Sequence, residues 1–185
     1  CREYFEAKEV YHDDLNTLVL SHGYNHMAPF DQMMPDEIEK IIGVNITGTI
    51  FMVQNFIWAT RANPFRKNII IIGSMAHRKI FNTDVVYCAA KASTASLVAG
   101  LGWEFTSQGF NVFGLHPSNT LGTPMTEKTI ESIMDNQGMS RPEAEAYWAR
   151  NGLLRPLTVD DVAEIVVDLV TSDADQFQSG TQIEL

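Results

Sequence analysis

The sequence predicts an α/β fold built on a parallel sheet, and three observations carry that prediction. Strand-like and helix-like patterns alternate along the chain without repeats or low complexity, as in successive βαβ units. The strand-like runs TLVLS (17–21), NIIII (68–72) and NVFGL (111–115) are continuously apolar, as parallel strands covered on both faces are. Stretches of helical length fill the gaps between them.

Taken in order, a short polar helix-like segment starting at Cys1 leads into DDLNTLVLSHG (13–23), a strand that ends at Leu20-Ser21-His22-Gly23. A first helix is expected from about Pro35, a residue suited to a first helical turn. It continues through VNITGTIF (44–51), which places Asn45 inside it, to near Thr60, and Asn63-Pro64 breaks it. The second strand ends in Gly73-Ser74. A second helix, about 85–107, carries Tyr87 and Lys91 and then a small-residue packing face from Ala95 to Phe105. The third strand ends in Pro117. A Met-rich stretch between Thr123 and Arg155 holds Met125, Met134, Met139, Tyr147 and Trp148, which core packing explains at least as well as a substrate lid does. The C-terminal TSDADQFQSGTQIEL (171–185) closes on a fourth strand pattern.

Composition fits a single globular domain over residues 1–185, with 45% hydrophobic and 19% charged residues. The net charge of −10 argues against nucleic acid or an anionic membrane as partner, because neither attracts an acidic surface. No apolar run is expected to reach the ~20 residues of a membrane span, and no signal peptide pattern opens the chain. The expected compartment is therefore cytoplasmic. Two cysteines make no disulfide framework, and Cys88 reads as a buried small residue. The five histidines are scattered and no metal-ligand spacing is present, so no metal is expected.

The chemistry concentrates in GSMAHRKIFNTDVVYCAAK (73–91). Ser74 lies thirteen residues before Tyr87, and Lys91 four after it. At i, i+4 the tyrosine and lysine share one helical face, so an ammonium can help a phenol ionise. Lowering a phenol from about 10 by roughly 2 to 3 units takes about 3 to 4 kcal/mol, within reach of an ammonium and an oxidised nicotinamide in a shielded site. A bare YxxxK also describes an ordinary amphipathic helix; its neighbours decide. Ser74 follows a strand and a glycine, which suits a turn residue or cap. It also stands at the carboxyl end of a parallel strand, where open α/β sheets bind ligands.

With Asn45, Ser74, Tyr87 and Lys91 in that order, between those strands, the chain resembles the classical short-chain dehydrogenase/reductases over nearly all its length. The resemblance implies a Rossmann-like doubly wound parallel sheet. The four residues fall on the family's catalytic tetrad. Ser74 would donate to a substrate oxygen, Tyr87 would exchange its proton, and Lys91 would hold the nicotinamide ribose hydroxyls and depress the phenol. Asn45 would help hold a water in the proton relay, although a mid-helix Asn also satisfies itself locally. The implied cofactor is NAD or NADP, the substrate a secondary alcohol or ketone, and the assembly a homodimer or homotetramer formed through the two helices.

The chain departs from the family pattern in several places. The opening strand, the TGxxxGxG turn and the second, cofactor-selecting strand are not found. Gly100-Leu101-Gly102 lies in a helical pattern and lacks a third glycine. The sequence thus reads as an N-terminally incomplete domain, the C-terminal two-thirds of the fold, expected to bind NAD(P) weakly by itself and to expose Leu18, Val19 and Leu20 on a sheet edge. The NNAG turn is rewritten as Leu20-Ser21-His22-Gly23, which leaves Gly23 beside the cofactor and puts His22 near the adenosine ribose. Pro-Gly after the third strand becomes Pro117-Ser118, and Thr123, the residue expected to reach the nicotinamide carboxamide, comes one residue late. His77, Arg78 and Lys79 read as a solvated basic loop. Two alternatives remain open: a non-catalytic relative acting as a scaffold, and an extended-type sugar-nucleotide epimerase, which the absence of a large substrate domain after Pro117 disfavours.

Overall fold

A computed structural model of the chain describes residues 15–151, 156–171 and 177–185. The polar segment at Cys1 and the boundary at Arg155 lie outside the described residues. Four strands form one parallel sheet in the order β1 (Thr17–Leu20), β2 (Lys67–Ile72), β3 (Phe110–His116) and β4 (Gln182–Glu184). Leu18 pairs with Ile69, and Ile69 with Val112, so the continuously apolar runs lie side by side.

The central strands β2 and β3 are apolar on both faces because helices cover both. On one side Ile69, Ile71 and Val112 pack with Val53, Phe56 and Val98 from two long helices. These are α1 (Pro35–Thr60) and α2 (Val85–Phe105). On the other side Ile70, Phe113 and Leu115 meet Leu169 and Val166 of α5 (Val159–Thr171). This is the Rossmann-like arrangement the alternation predicted. β1 forms one edge of the sheet, and Val19 is exposed there.

Helix α1 contains a π-helical turn over Gly43–Gly48. Helix α2 presses its Gly102 against Gly180, where a Cβ would come within 2.4 Å of the Gly180 Cα. That glycine therefore serves close packing of helix on turn, not phosphate binding. Two helices, α3 (Pro124–Gln137) and α4 (Arg141–Asn151), form a hairpin with its own small core of Ile130, Ile133 and Ala144 under Met134, Met139, Tyr147 and Trp148. Core packing accounts for those four residues. Met125 goes elsewhere.

One expectation is corrected. Pro35–Thr60 and Val85–Gln108 are each long and apolar enough, by length and composition, to cross a membrane. Their apolarity serves the sheet instead: α1 buries Val53, Phe56 and Ile57, α2 buries Ala90 and Val98, and both also bury polar side chains, Asn45 and Asn55 on α1 and Lys91 and Thr94 on α2. The carboxyl ends of the parallel strands emerge on one edge of the sheet, and the residues that follow them include Gly23, Ser74 and Pro117. That is the edge where open α/β sheets take ligands.

Candidate active site

Tyr87 and Lys91 sit one turn apart on α2, both nearly buried, with Lys91 Nζ 5.6 Å from the centre of the tyrosine ring. Ser74, after β2, takes an extended backbone and starts a short 3-10 turn, where its Oγ accepts from the Ala76 N–H at 3.1 Å. That bond fixes the hydroxyl oxygen and leaves its O–H as a donor. Ser74 stands close enough for its hydroxyl to lower the Tyr87 phenol's pKa, while the Tyr87 hydroxyl itself donates to Met125 Sδ.

The electrostatics differ from the sequence expectation. Burial pushes the Tyr87 phenol above its ordinary value; the Ser74 hydroxyl pulls it down, and the charges of Asp84 and Cys88 push it up. Burial also lowers the Lys91 ammonium from 10.5 to about 8. The expected depression of the phenol is therefore not supplied by the side chains alone, because the shielding that would strengthen the lysine's pull also desolvates both groups. Lys91 Nζ makes one long hydrogen bond, to the Ile72 carbonyl at 3.4 Å. A buried ammonium carries three donors, so this one is prepared to take further acceptors.

Gly23, in the loop after β1, brings its backbone close to that ammonium. A Cβ there would stand 3.3 Å from Asn45 Oδ1 and 3.6 Å from Lys91 Nζ. Asn45, in the π turn of α1, spends its side chain on this loop: Nδ2 donates to the Tyr24 carbonyl at 2.7 Å and to the Ile41 carbonyl at 2.9 Å, while Oδ1 accepts from the Tyr24 N–H at 3.3 Å. It thus staples the loop to the helix. His22 Nε2 lies 3.2 Å from the Thr49 hydroxyl, which donates to the Asn45 carbonyl at 2.8 Å. Burial and the nearby Lys91 charge lower the imidazole's pKa. A cavity of about 360 Å³ opens beside Gly23, between residues 23–27 and the start of α3, where Met125 and Lys128 line it.

Pro117, Ser118 and Thr123, which stand at the family's cofactor-contact positions, also make contacts within the chain. The Pro117 carbonyl accepts from the Met75 N–H at 3.0 Å and so locks the turn after Ser74. Ser118 is buried with its hydroxyl against Met75 Sδ at 3.5 Å. Thr123 caps α3, its Oγ1 accepting from the Thr126 N–H at 3.1 Å. Helix capping satisfies that threonine locally. Nor is His77 part of a solvated loop. Its side chain is turned inward and stacks on His116 with ring centres 3.9 Å apart, with Nδ1 2.8 Å from the Ser74 carbonyl. Arg78 pairs with Glu184 at the end of β4.

Sequence reasoning missed Met125, whose Sδ receives the Tyr87 hydroxyl at 3.9 Å and whose Cε lies by Gly23. Its place two residues after Thr123, in the first turn of a helix starting at the ligand edge, is the signal that could have separated it from the other methionines.

The family described as short chain dehydrogenase matches this chain over residues 1–133. An acetoacetyl-CoA reductase of Paracoccus denitrificans is 27% identical over 157 residues, covering 85% of this chain and 60% of the relative. The chain thus spans less than two thirds of that relative's length. Among solved structures, a sorbitol-6-phosphate 2-dehydrogenase from Erwinia amylovora superposes with a TM-score of 0.87 at 21% identity, over 100% of this chain and 72% of that one. A short chain dehydrogenase from Burkholderia cenocepacia, in complex with NADP, superposes with a TM-score of 0.74 at 19% identity, over 100% and 69%.

Proposed function

The chain belongs to the short chain dehydrogenase family, and from that premise we propose that it is an NAD(P)-dependent oxidoreductase acting on a secondary alcohol or ketone. The observation that supports this reading is Tyr87 one turn before a nearly buried Lys91 that makes a single long hydrogen bond, at the sheet edge where Ser74 follows β2. A buried ammonium short of acceptors, beside a glycine whose missing side chain leaves room, fits the hydroxyls of a nicotinamide ribose. The cofactor supplies or takes up the hydride. Lys91 and the Gly23 backbone would hold it.

The remaining work falls to the chain's own side chains. Ser74, its oxygen fixed by the Ala76 N–H, donates its O–H to the substrate oxygen where negative charge develops. Tyr87 gives its proton to that oxygen in ketone reduction and removes it in alcohol oxidation. Lys91 favours the phenolate by its charge once acceptors keep it protonated. Asn45 positions the loop that carries Gly23, and Met125 excludes water from the phenol. Pro117 and Ser118 shape the turn after Ser74, and Thr123, fixed as the cap of α3, would face the carboxamide with the rest of its hydroxyl's hydrogen-bonding capacity.

Helices α1 and α2 leave Phe51, Trp58 and Trp103 exposed, with Trp103 at 92%. A homo-oligomer would cover these faces. Trp103→Glu should then lower the sedimentation coefficient toward that of a monomer.

The direct test is Tyr87→Phe, assayed with secondary alcohols and ketones and with both NAD and NADP. Turnover should fall by about 100-fold or more, because proton transfer by a placed side chain contributes on that order. Cofactor affinity should stay within about a few-fold, since the lost hydroxyl acts mainly in the transition state. Full turnover in Tyr87→Phe would overturn the reading.

A further inference from the structure

Asp84 occupies the N-cap position of α2, one turn before Tyr87, yet its side chain makes no capping bond. An aspartate there ordinarily accepts from the N–H groups of the first turn. This one turns toward the loop after β1, where Asn25 Nδ2 donates to its Oδ2 at 3.3 Å. The residue is only 8% exposed, and its Oδ1 is buried with no hydrogen-bond partner among the described residues, as is Asn25 Oδ1. The turn before it is held in an unusual shape: Thr83 takes a φ of 63°, and its carbonyl accepts from the Ala28 N–H at 3.0 Å. A carboxyl that gives up its cap and is buried unpartnered, in a backbone held by another loop, is an arrangement that stability alone disfavours.

The charged groups on the surrounding elements have other contacts. From the β1 loop and α1, His26 faces Glu37 at 3.9 Å, and Glu37 also accepts from the Tyr24 hydroxyl at 2.7 Å. In the loop before α2, Arg78 pairs with Glu184 and Lys79 lies over the Phe81 ring. On α2 itself, Cys88 Sγ points at the Lys79 carbonyl and Lys91 Nζ at the Ile72 carbonyl. Lys128 of α3 lines the cavity on the far side of Asn25. Among the described residues no cation forms an ion pair with Asp84. Its charge therefore acts on Tyr87 without a counterion, through a shielded medium.

We propose that Asp84 is an electrostatic positioning residue for Tyr87, its carboxyl setting how readily the phenol gives up and takes back its proton. The inference rests on the role given to Tyr87 above. An ionised Asp84 pushes the phenol up and so keeps Tyr87 in the protonated form that ketone reduction needs. Burial raises the Asp84 carboxyl itself to about 6, so below that pH it takes a proton and its effect on Tyr87 ends.

The test is the pH profile of Asp84→Asn, with Asp84→Glu as the conservative variant. In Asp84→Asn the alkaline limb of ketone reduction and the rising limb of alcohol oxidation should both move to lower pH, by about half a unit or more. Wild type and variant should converge below about pH 5, where the wild-type carboxyl is protonated. Asp84→Glu should keep the wild-type limbs. Without any assay of turnover, the melting temperature of wild type should fall relative to Asp84→Asn between pH 4 and 7, as the carboxyl ionises. A uniform loss of turnover with unshifted limbs would overturn the inference in favour of a structural role, as would failure of the near-isosteric Asp84→Asn to fold. If Tyr87→Phe is inactive but the limbs of Asp84→Asn do not move, this inference falls while the proposed function stands. If Tyr87→Phe is active, both fall.

Discussion

Lys67 and Lys91 are both almost fully buried, and they serve opposite ends of strand β2. Lys67 opens the strand. Its Nζ donates to the Asn63 carbonyl at 3.1 Å and to the Gln108 carbonyl at 3.3 Å, and it lies over the Phe110 ring at 4.6 Å. Those carbonyls belong to the chain just past α1 and past the end of α2, where helix dipoles leave partial negative charge. Lys91 reaches the Ile72 carbonyl at the other end of the same strand, with one bond of 3.4 Å. One lysine has two carbonyl acceptors and a ring, and the other is left with one long bond. The amino-terminal end of the sheet is thus built for stability, and the carboxyl-terminal end keeps unspent chemistry.

The largest expected effect breaks the comparison at the level of turnover. Lys91→Met should lower turnover by about 100-fold or more and weaken cofactor binding as well, because the ammonium is assigned both to the phenol and to the ribose hydroxyls. Lys67→Met, at the far end of the strand, should leave the turnover of the folded protein within about two-fold. Steady-state kinetics with cofactor titration would check both. A comparable loss in the two variants would mean that the sheet ends are not divided in this way.

This division also explains what could be read from the sequence. The sheet was readable because residues such as Ile69, Ile70 and Ile71 are buried on both faces and so must be apolar without alternation. Ser74, Tyr87 and Lys91 were readable because a strand end and an i, i+4 spacing fix their placement whatever surrounds them. The rest depends on contacts between residues far apart in the chain. Whether Thr123 caps a helix or faces a ligand is decided by the Thr126 N–H, and whether His77 is solvated is decided by His116, thirty-nine positions away. The depth of burial that raises the Tyr87 phenol in the chain alone was unreadable for the same reason: spacing reveals a neighbouring charge but not desolvation. Asp84 stands at the N-cap position of α2, and it is the loop after β1, distant in the chain, that draws its side chain away.

A smaller effect, opposite in sign at the two ends, concerns stability. Lys67→Met removes the donor that serves the Asn63 and Gln108 carbonyls and should destabilise the fold by about 1 to 3 kcal/mol, on the order of two hydrogen bonds. Lys91→Met replaces a poorly satisfied buried cation with an apolar chain of similar length, which is neutral or stabilising for an unpaired charge. Urea denaturation at pH 7 would compare them. Equal destabilisation would mean that Lys91 is as well satisfied as Lys67.

The sharpest form of the comparison lies in its pH dependence. Lys91 has a folded pKa near 8 against an ordinary 10.5, so between those values the unfolded chain binds more protons than the folded one. Stability contributed by this site therefore rises with pH across that window and is absent below it, the reverse of a lysine held in an ion pair. At pH 7 the folded state bears the whole cost of keeping Lys91 charged, about 3 kcal/mol as an order of magnitude. By about pH 10.5 that cost is gone. The stability advantage of Lys91→Met over wild type should accordingly be greatest at pH 7 and shrink steadily between pH 8 and 10.5. The Asp84 carboxyl titrates near 6 and does not enter this window. Paired denaturation curves at pH 7, 8, 9 and 10 would measure the trend, and a pH-independent difference between Lys91→Met and wild type would show that the lysine at the carboxyl end of β2 is not held at the cost inferred from its burial.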